Sequence, residues 1–185
     1  MEYTLPDDRT SADLLADSPD PARRPELPGL PDLPDLPGLP ALFADLIRCE
    51  TRLYNALGDR LRERHGIVTS QYEFLHHLRE HPGCRVADLA AEFAIGVGAT
   101  SKGVDRLEKQ GWAVRHPNPD DRRSSLLTLT PEGERLTAQA ERTYTEALTE
   151  LLTPALDAPA LTALARTLAA LRTTLEHHRT GTPAG

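Results

Sequence analysis

Residues Arg85 to Thr130, RVADLAAEFAIGVGATSKGVDRLEKQGWAVRHPNPDDRRSSLLTLT, leave little freedom in how the middle of this chain can fold. Val86, Leu89, Ala90 and Phe93 recur at helical spacing, which predicts a helix over 86–93. Ile95, Gly96 and Gly98 follow where a turn between two helices must tighten, and glycine supplies positive φ and close backbone approach. A second helix is expected from about Gly98 to Gln110. It should bury Val104 and Leu107 with the small Ala99, Thr100 and Gly103, and expose Ser101, Lys102, Asp105, Arg106, Glu108 and Lys109. Gly111 stops it as a helix C-cap would.

Two helices joined by a short glycine-bearing turn form a helix-turn-helix, whose second member fits the major groove of DNA. Trp112 to His116 and Leu126 to Thr130 read as strands, with turn chemistry from Pro117 to Asp120 between them. That is a β-hairpin wing with Asp121, Arg122 and Arg123 at its tip. Arginine on a narrow loop suits the concentrated negative potential of a minor groove. Asp121 is expected to hold the Arg123 guanidinium in place. On the helix, Thr100, Ser101, Lys102 and the backbone at Val97 and Gly98 are the candidates for the major groove. Lys102 and Arg106 have reach for guanine edges or phosphates. Arg122 or Arg115 would support through phosphate contacts.

The run LAAEF…GATSKGVDRLEKQGW…PDDRRSSLLTLTPEG resembles the winged helix-turn-helix of the multiple-antibiotic-resistance regulator (MarR) family. VDRLEKQG, the Asp121-x-Arg123 pair and Leu-Thr-Leu-Thr before Pro-Glu-Gly carry the likeness, which spans about Ala41 to His178. Gly96-Val97-Gly98 departs from the polar, serine-rich turn common in that family. The resemblance implies a homodimer built from N- and C-terminal helices. It implies repression at an operator, relieved by a small-molecule effector in a cleft between the dimer helices and the DNA-binding lobe. Tyr54, Leu57, Tyr72, Leu75 and His76 are the residues placed to line such a cleft.

The net charge of −7 looks wrong for a DNA binder until it is divided. Residues 1–39 hold nine acids and three arginines, a net −6, which leaves −1 for the rest. Between Val97 and Arg123 six basic residues face four acidic ones, a local +2. Phosphate binding needs a local positive face, not a basic whole.

At 185 residues there is room for one ordinary domain and a tail. Residues 1–40 form the acidic tail, where leucines at 27, 30, 33, 36 and 39 alternate with prolines every three residues. Such a segment reads as a stiff disordered linker, or as a polyproline strip presenting one leucine edge to a partner. Residues 41–180 form the domain, with a DNA-binding lobe over about 70–131. A long helix over about 41–64 carries Leu42, Leu46, Cys49, Leu53, Leu57 and Leu61 as its apolar stripe. Ser70-Gln-Tyr-Glu73 matches a capping box for the next helix, which Pro82-Gly83 ends. Thr130-Pro131 starts a helix to about Pro154, and Asp157-Ala-Pro159 starts a last one with a ridge from Leu161 to Leu175. The fold class is therefore mainly α with a small β-hairpin wing. Helices over about 41–65 and 131–178 have little to bury against within one winged domain. A two-fold pair would bury them and set two reading helices one DNA turn apart on a palindromic site.

Cys49 and Cys84 are too few for a disulfide framework, and no signal peptide or apolar run of membrane length is evident, which fits the cytoplasm and no membrane partner. Either cysteine could make this a thiol-sensing regulator, although Cys49 sits on the apolar stripe, where a thiol is usually a small hydrophobe. His76, His77 and His81 lack the further ligands that zinc requires, and no cofactor is expected. No phosphate loop, nucleophile elbow or His-Glu-x-x-His occurs, so an enzyme is not expected. The rival reading from another class is a protein-interaction adaptor that works through the leucine-edged tail.

Overall fold

The computed structural model describes residues 38–183. Of the tail read over residues 1–40 and its leucine-edged strip, residues 1–37 lie outside them, whereas Leu39 and Pro40 open the first helix instead of extending the strip. Phe43–Gly185 forms one compact unit. The elements run α1 (Leu39–His65), α2 (Thr69–Glu80), β1 (Cys84–Arg85), α3 (Val86–Glu92), α4 (Val97–Lys109), β2 (Ala113–Pro117), β3 (Ser125–Leu129), α5 (Pro131–Leu152) and α6 (Ala158–His177).

The helices fall where the sequence pattern puts them, and local chemistry explains their ends. Thr130 caps α5 by accepting the Gly133 N–H at 3.0 Å, and its hydroxyl donates to the Gly111 carbonyl at 2.6 Å. Asp157 caps α6 through the Ala160 N–H at 2.9 Å. The start of α2 differs from the expected Ser70–Glu73 capping box. Its N-cap is Val68, whose N–H donates to the Gln71 side chain at 3.0 Å. The helix begins one residue before Ser70 because Thr69 is buried and donates to the Tyr54 carbonyl, fastening α2 to α1.

The hairpin of β2 and β3 has the register Ala113↔Leu129 to Pro117↔Ser125. A third strand, β1, pairs with the other side of β3 through Cys84↔Leu127 and Arg85↔Leu126, giving the antiparallel order β1-β3-β2. Sequence pattern finds two strands only, since two residues are too short to show a period.

The core lies between α2, α3, α4 and the sheet, where Leu75, Leu78, Leu89, Val104, Leu107 and Leu127 are fully buried. Each such side chain contributes on the order of 1.5–3 kcal/mol relative to exposure. Leu61, Ile67, Tyr72 and Ala140 make a second cluster under α5, and Trp112 and Leu136 pack against both.

The long stripe expected on α1 is only half used. Leu57 and Leu61 are buried, whereas Phe43, Leu46 and Ile47 are 63%, 40% and 46% exposed. No residue of α6 is buried, and Leu164, Leu168, Leu171 and Leu175 all stand exposed. Among the described residues, no helix is long and apolar enough to cross a membrane.

Candidate nucleic-acid interface

Helix α4 is positioned by what it cannot carry on its inner face. A Cβ at Gly103 would stand 2.6 Å from the Phe74 ring, so only glycine lets the helix lie this close to α2 without a shift. Val104 and Leu107 complete that inner face, and Thr100 joins them. Thr100 is fully buried and its hydroxyl donates to the Gly96 carbonyl at 3.1 Å, so it points into the protein and not outward as a base contact. The outer surface is left to Val97, Gly98, Lys102 and Arg106, all exposed, with Ser101 half-buried and Ala99 exposed instead of packed.

The turn before α4 is tightened by an unexpected residue. Ala94 takes φ +49°, while Gly96 is an extended N-cap at φ −64° and Gly98 is helical. The Ile95 N–H reaches back to the Ala90 carbonyl at 3.0 Å, closing the end of α3. The signal was not recoverable from residue type, since alanine ordinarily avoids the left-handed region.

The wing is ordered by side chains that bind its own backbone. Asn118 accepts the Asp120 N–H at 3.0 Å, and its amide donates to Ser124 Oγ at 2.8 Å. Asp121 accepts the Arg123 N–H at 2.9 Å, and the Ser124 N–H donates to the Asp121 carbonyl at 3.0 Å. These are turn-closing bonds. Asp121 therefore holds the backbone of the tip, not the Arg123 guanidinium as the sequence suggested. Asp121, Arg122 and Arg123 are exposed, and neither arginine joins an ion pair among the described residues.

Arg115 does not stand as a free cation for phosphate. Its guanidinium pairs with Asp105 at 2.8 Å and with Glu108, and its backbone N–H donates to Glu108 Oε1 at 3.0 Å. Beneath the wing, His116 Nε2 and Thr128 Oγ1 lie 2.9 Å apart across β2 and β3.

The five residues named for an effector cleft separate. Leu57 and Leu75 are core side chains, and Tyr54 is 37% exposed on α1. Only Tyr72 and His76 line a groove, of about 490 Å³, between α2, the end of α3 and α5. Sequence reading missed its other walls, Glu73, Phe93, Glu141 and Tyr144 among them, because they are distant in the chain.

Cys49 is exposed, not packed as a small hydrophobe. Cys84 is half-buried in β1, and burial, with Asp88 nearby, pushes its thiol pKa up, which disfavours the reactive thiolate. His77 and His81 stack at 4.4 Å, and among the described residues no cluster of three or more His, Cys, Asp or Glu is arranged to hold a metal.

A helix pair α3–α4, a three-stranded sheet and an arginine-tipped hairpin define a winged helix-turn-helix protein. A model of the MarR family matches residues 65–124. The chain is 30% identical over 123 residues to the multiple antibiotic resistance protein MarR of Salmonella typhimurium, across 63% of this chain and 85% of that one. It is 32% identical over 72 residues to the transcriptional repressor MdtR of Bacillus subtilis, covering 39% and 46% of the two chains. Among solved structures, the MarR-family regulator Sco3205 of Streptomyces coelicolor in complex with DNA superposes with a TM-score of 0.68 at 25% identity, over 78% of this chain and 93% of that one. A mutant MarR from E. coli complexed with operator DNA gives 0.65 at 25% identity, over 71% and 93%. The chain belongs to the MarR family of transcriptional regulators.

Proposed function

We propose that this protein is a cytoplasmic, homodimeric transcriptional repressor that binds a palindromic operator and is released by a small-molecule effector, with no catalytic role. Residues 70–131 form its DNA-binding lobe, and the helices over 41–65 and 131–178 form its dimer. Val97, Gly98, Ser101, Lys102 and Arg106 face the major groove. Arg122 and Arg123 enter the minor groove or meet its phosphates, while Asp121 fixes the tip that carries them.

The observation that carries this reading is the exposed pair of cationic surfaces, Lys102 and Arg106 on α4 and Arg122 and Arg123 on the wing, none of them neutralised by an ion pair among the described residues. Relatives whose structures contain DNA support it. Pairing is supported by exposed apolar faces on α1 and α6, which water would otherwise hydrate at a cost of about 25 cal/mol per Å².

A gel shift with the protein's own upstream DNA at two salt concentrations tests the function. Specific binding that falls steeply with salt is the expected result, and no binding at low salt would refute it. Sedimentation tests the dimer. The native protein should run as a dimer, and Leu168→Glu with Leu171→Glu should yield monomers. A native monomer would end the two-fold account.

A further inference from the structure

The groove between α2, the end of α3 and α5 has a charge that restricts what can occupy it. Its volume, about 490 Å³, lies within the 300–1,000 Å³ usual for small-ligand clefts. One wall is aromatic. Tyr72 and Tyr144 meet with ring centroids 4.5 Å apart, and the His76 ring stacks on Tyr72 at 5.7 Å. Phe93 forms part of the opposite side, edge-on to His77 at 5.9 Å.

Four carboxylates line the same space, Glu73, Glu80, Glu92 and Glu141, and no lysine or arginine does. The nearest cation, Arg79, is already committed. It binds Glu141 at 2.8 Å and Glu80 at 3.5 Å, and its guanidinium lies 3.2 Å from His76 Nδ1, itself 3.9 Å from Glu141. Glu73 and Glu92 have no ion-pair partner among the described residues. Burial and the neighbouring His81 hold His77 below its ordinary pKa. Burial, and Glu50 beside it, raise the pKa of Glu73, a shift that a cation in the groove would oppose.

We propose that this groove binds a flat aromatic cation, its ring between Tyr72, Tyr144 and Phe93 and its positive charge toward Glu73 and Glu92. An organic anion would meet four carboxylates and no lysine or arginine. A cation gains both the carboxylates and the negative faces of the tyrosine rings. Phe93 is the residue at which α3 ends and the turn into α4 begins, so an occupied groove touches the element that aims the reading helix. Action as the effector rests on the repressor reading above, whereas binding itself does not.

Two xanthene dyes of similar shape and opposite charge, rhodamine 6G and fluorescein, separate these claims. Fluorescence anisotropy with the full chain and no DNA should show saturable binding of rhodamine 6G and at least tenfold weaker binding of fluorescein. Glu73→Gln with Glu92→Gln, which touches neither α4 nor the wing, should weaken rhodamine binding by on the order of tenfold or more. Tyr144→Leu should weaken it as well. Equal or tighter fluorescein binding overturns the proposal, as do undetectable rhodamine binding and binding indifferent to the double substitution. If rhodamine binds as described but operator affinity is the same with and without saturating dye, the cation site stands and the effector reading fails.

Discussion

Glu108, late in α4, accepts from Arg115 of β2 twice, once from the backbone N–H at 3.0 Å and once from the guanidinium. The same guanidinium reaches Asp105 at 2.8 Å and lies 3.5 Å from the Ser101 carbonyl. Positions 101, 105 and 108 share one face of the helix, so the arginine lies along α4 and ties the first strand of the wing to it. An arginine held in this way sets the angle between wing and reading helix. Its charge is spent on two carboxylates that would otherwise repel phosphate.

Arg115 and Arg123 should therefore fail differently. Arg123→Ala is expected to weaken operator binding by about 1–3 kcal/mol, and to reduce the slope of log affinity against log salt by about 1 if the lost contact is a phosphate. Arg115→Gln should also weaken binding, by loosening the wing, yet leave the salt slope unchanged, because no phosphate contact is lost. Anisotropy titrations with operator DNA between about 50 and 200 mM salt would read both. A slope reduced by one in Arg115→Gln would show that its guanidinium contacts DNA after all.

Gly133 should not tolerate even alanine. A Cβ there would collide with the Trp112 carbonyl, a backbone group fixed by the Thr130 N–H at 3.0 Å. Glycine to alanine inside a helix ordinarily gains up to about 1 kcal/mol. Here the overlap is with backbone, so a loss of about 1–3 kcal/mol or more is expected. Gly103→Ala should cost less, since its obstacle is a ring edge of Phe74 that can swing aside. Urea midpoints of the two variants give the comparison, and an unchanged midpoint for Gly133→Ala would contradict the packing of α5 on the sheet.

Ala94 predicts the opposite sign. Holding a residue with a Cβ at φ +49° costs roughly 1–2 kcal/mol, which glycine avoids. Glycine gives back roughly 0.5–1 kcal/mol through the freedom of the unfolded chain. Ala94→Gly should thus be neutral or stabilising by up to about 1 kcal/mol, although alanine to glycine usually destabilises. Chemical denaturation checks this, and a loss near 1 kcal/mol would mean that the turn is not left-handed in solution.

What could be read from the residues follows the physics of each element. Long amphipathic helices with caps at Thr130 and Asp157 announce themselves, because period and cap chemistry are both local. The wing is legible for the same reason. β1 is not, since two residues acquire strand geometry only by pairing with Leu126 and Leu127. Within the interface, exposure of Lys102, Arg106 and Arg123 follows from helix phase and turn position. The burial of Thr100 follows from the same helix phase, although its hydroxyl also suggested a base contact. The capture of Arg115 does not, because it depends on Glu108 arriving from another element. Half of the α1 stripe and the Leu164-to-Leu175 ridge of α6 stand exposed in a single chain, as expected of helices with little to bury against within one winged domain.

Acid should act on stability in two stages. His65, 2.8 Å from Thr143 Oγ1, and His77 both have pKa values lowered by burial. A histidine that binds its proton less readily when folded favours the unfolded state once pH drops below the unfolded value, about 6.5. Their contribution is fully present above that pH and is lost as pH falls toward the folded values. Asp88, held low by Arg85, and Glu141, held low by Arg79, act later. Depressed carboxylates contribute stability above about pH 4, and it is lost as pH falls through their folded values. The melting temperature should decline as pH falls below about 6.5 and again below about pH 4. Replacing His65 and His77 by glutamine should flatten the first decline and leave the second. A first decline undiminished in that double variant would mean that other groups titrate there.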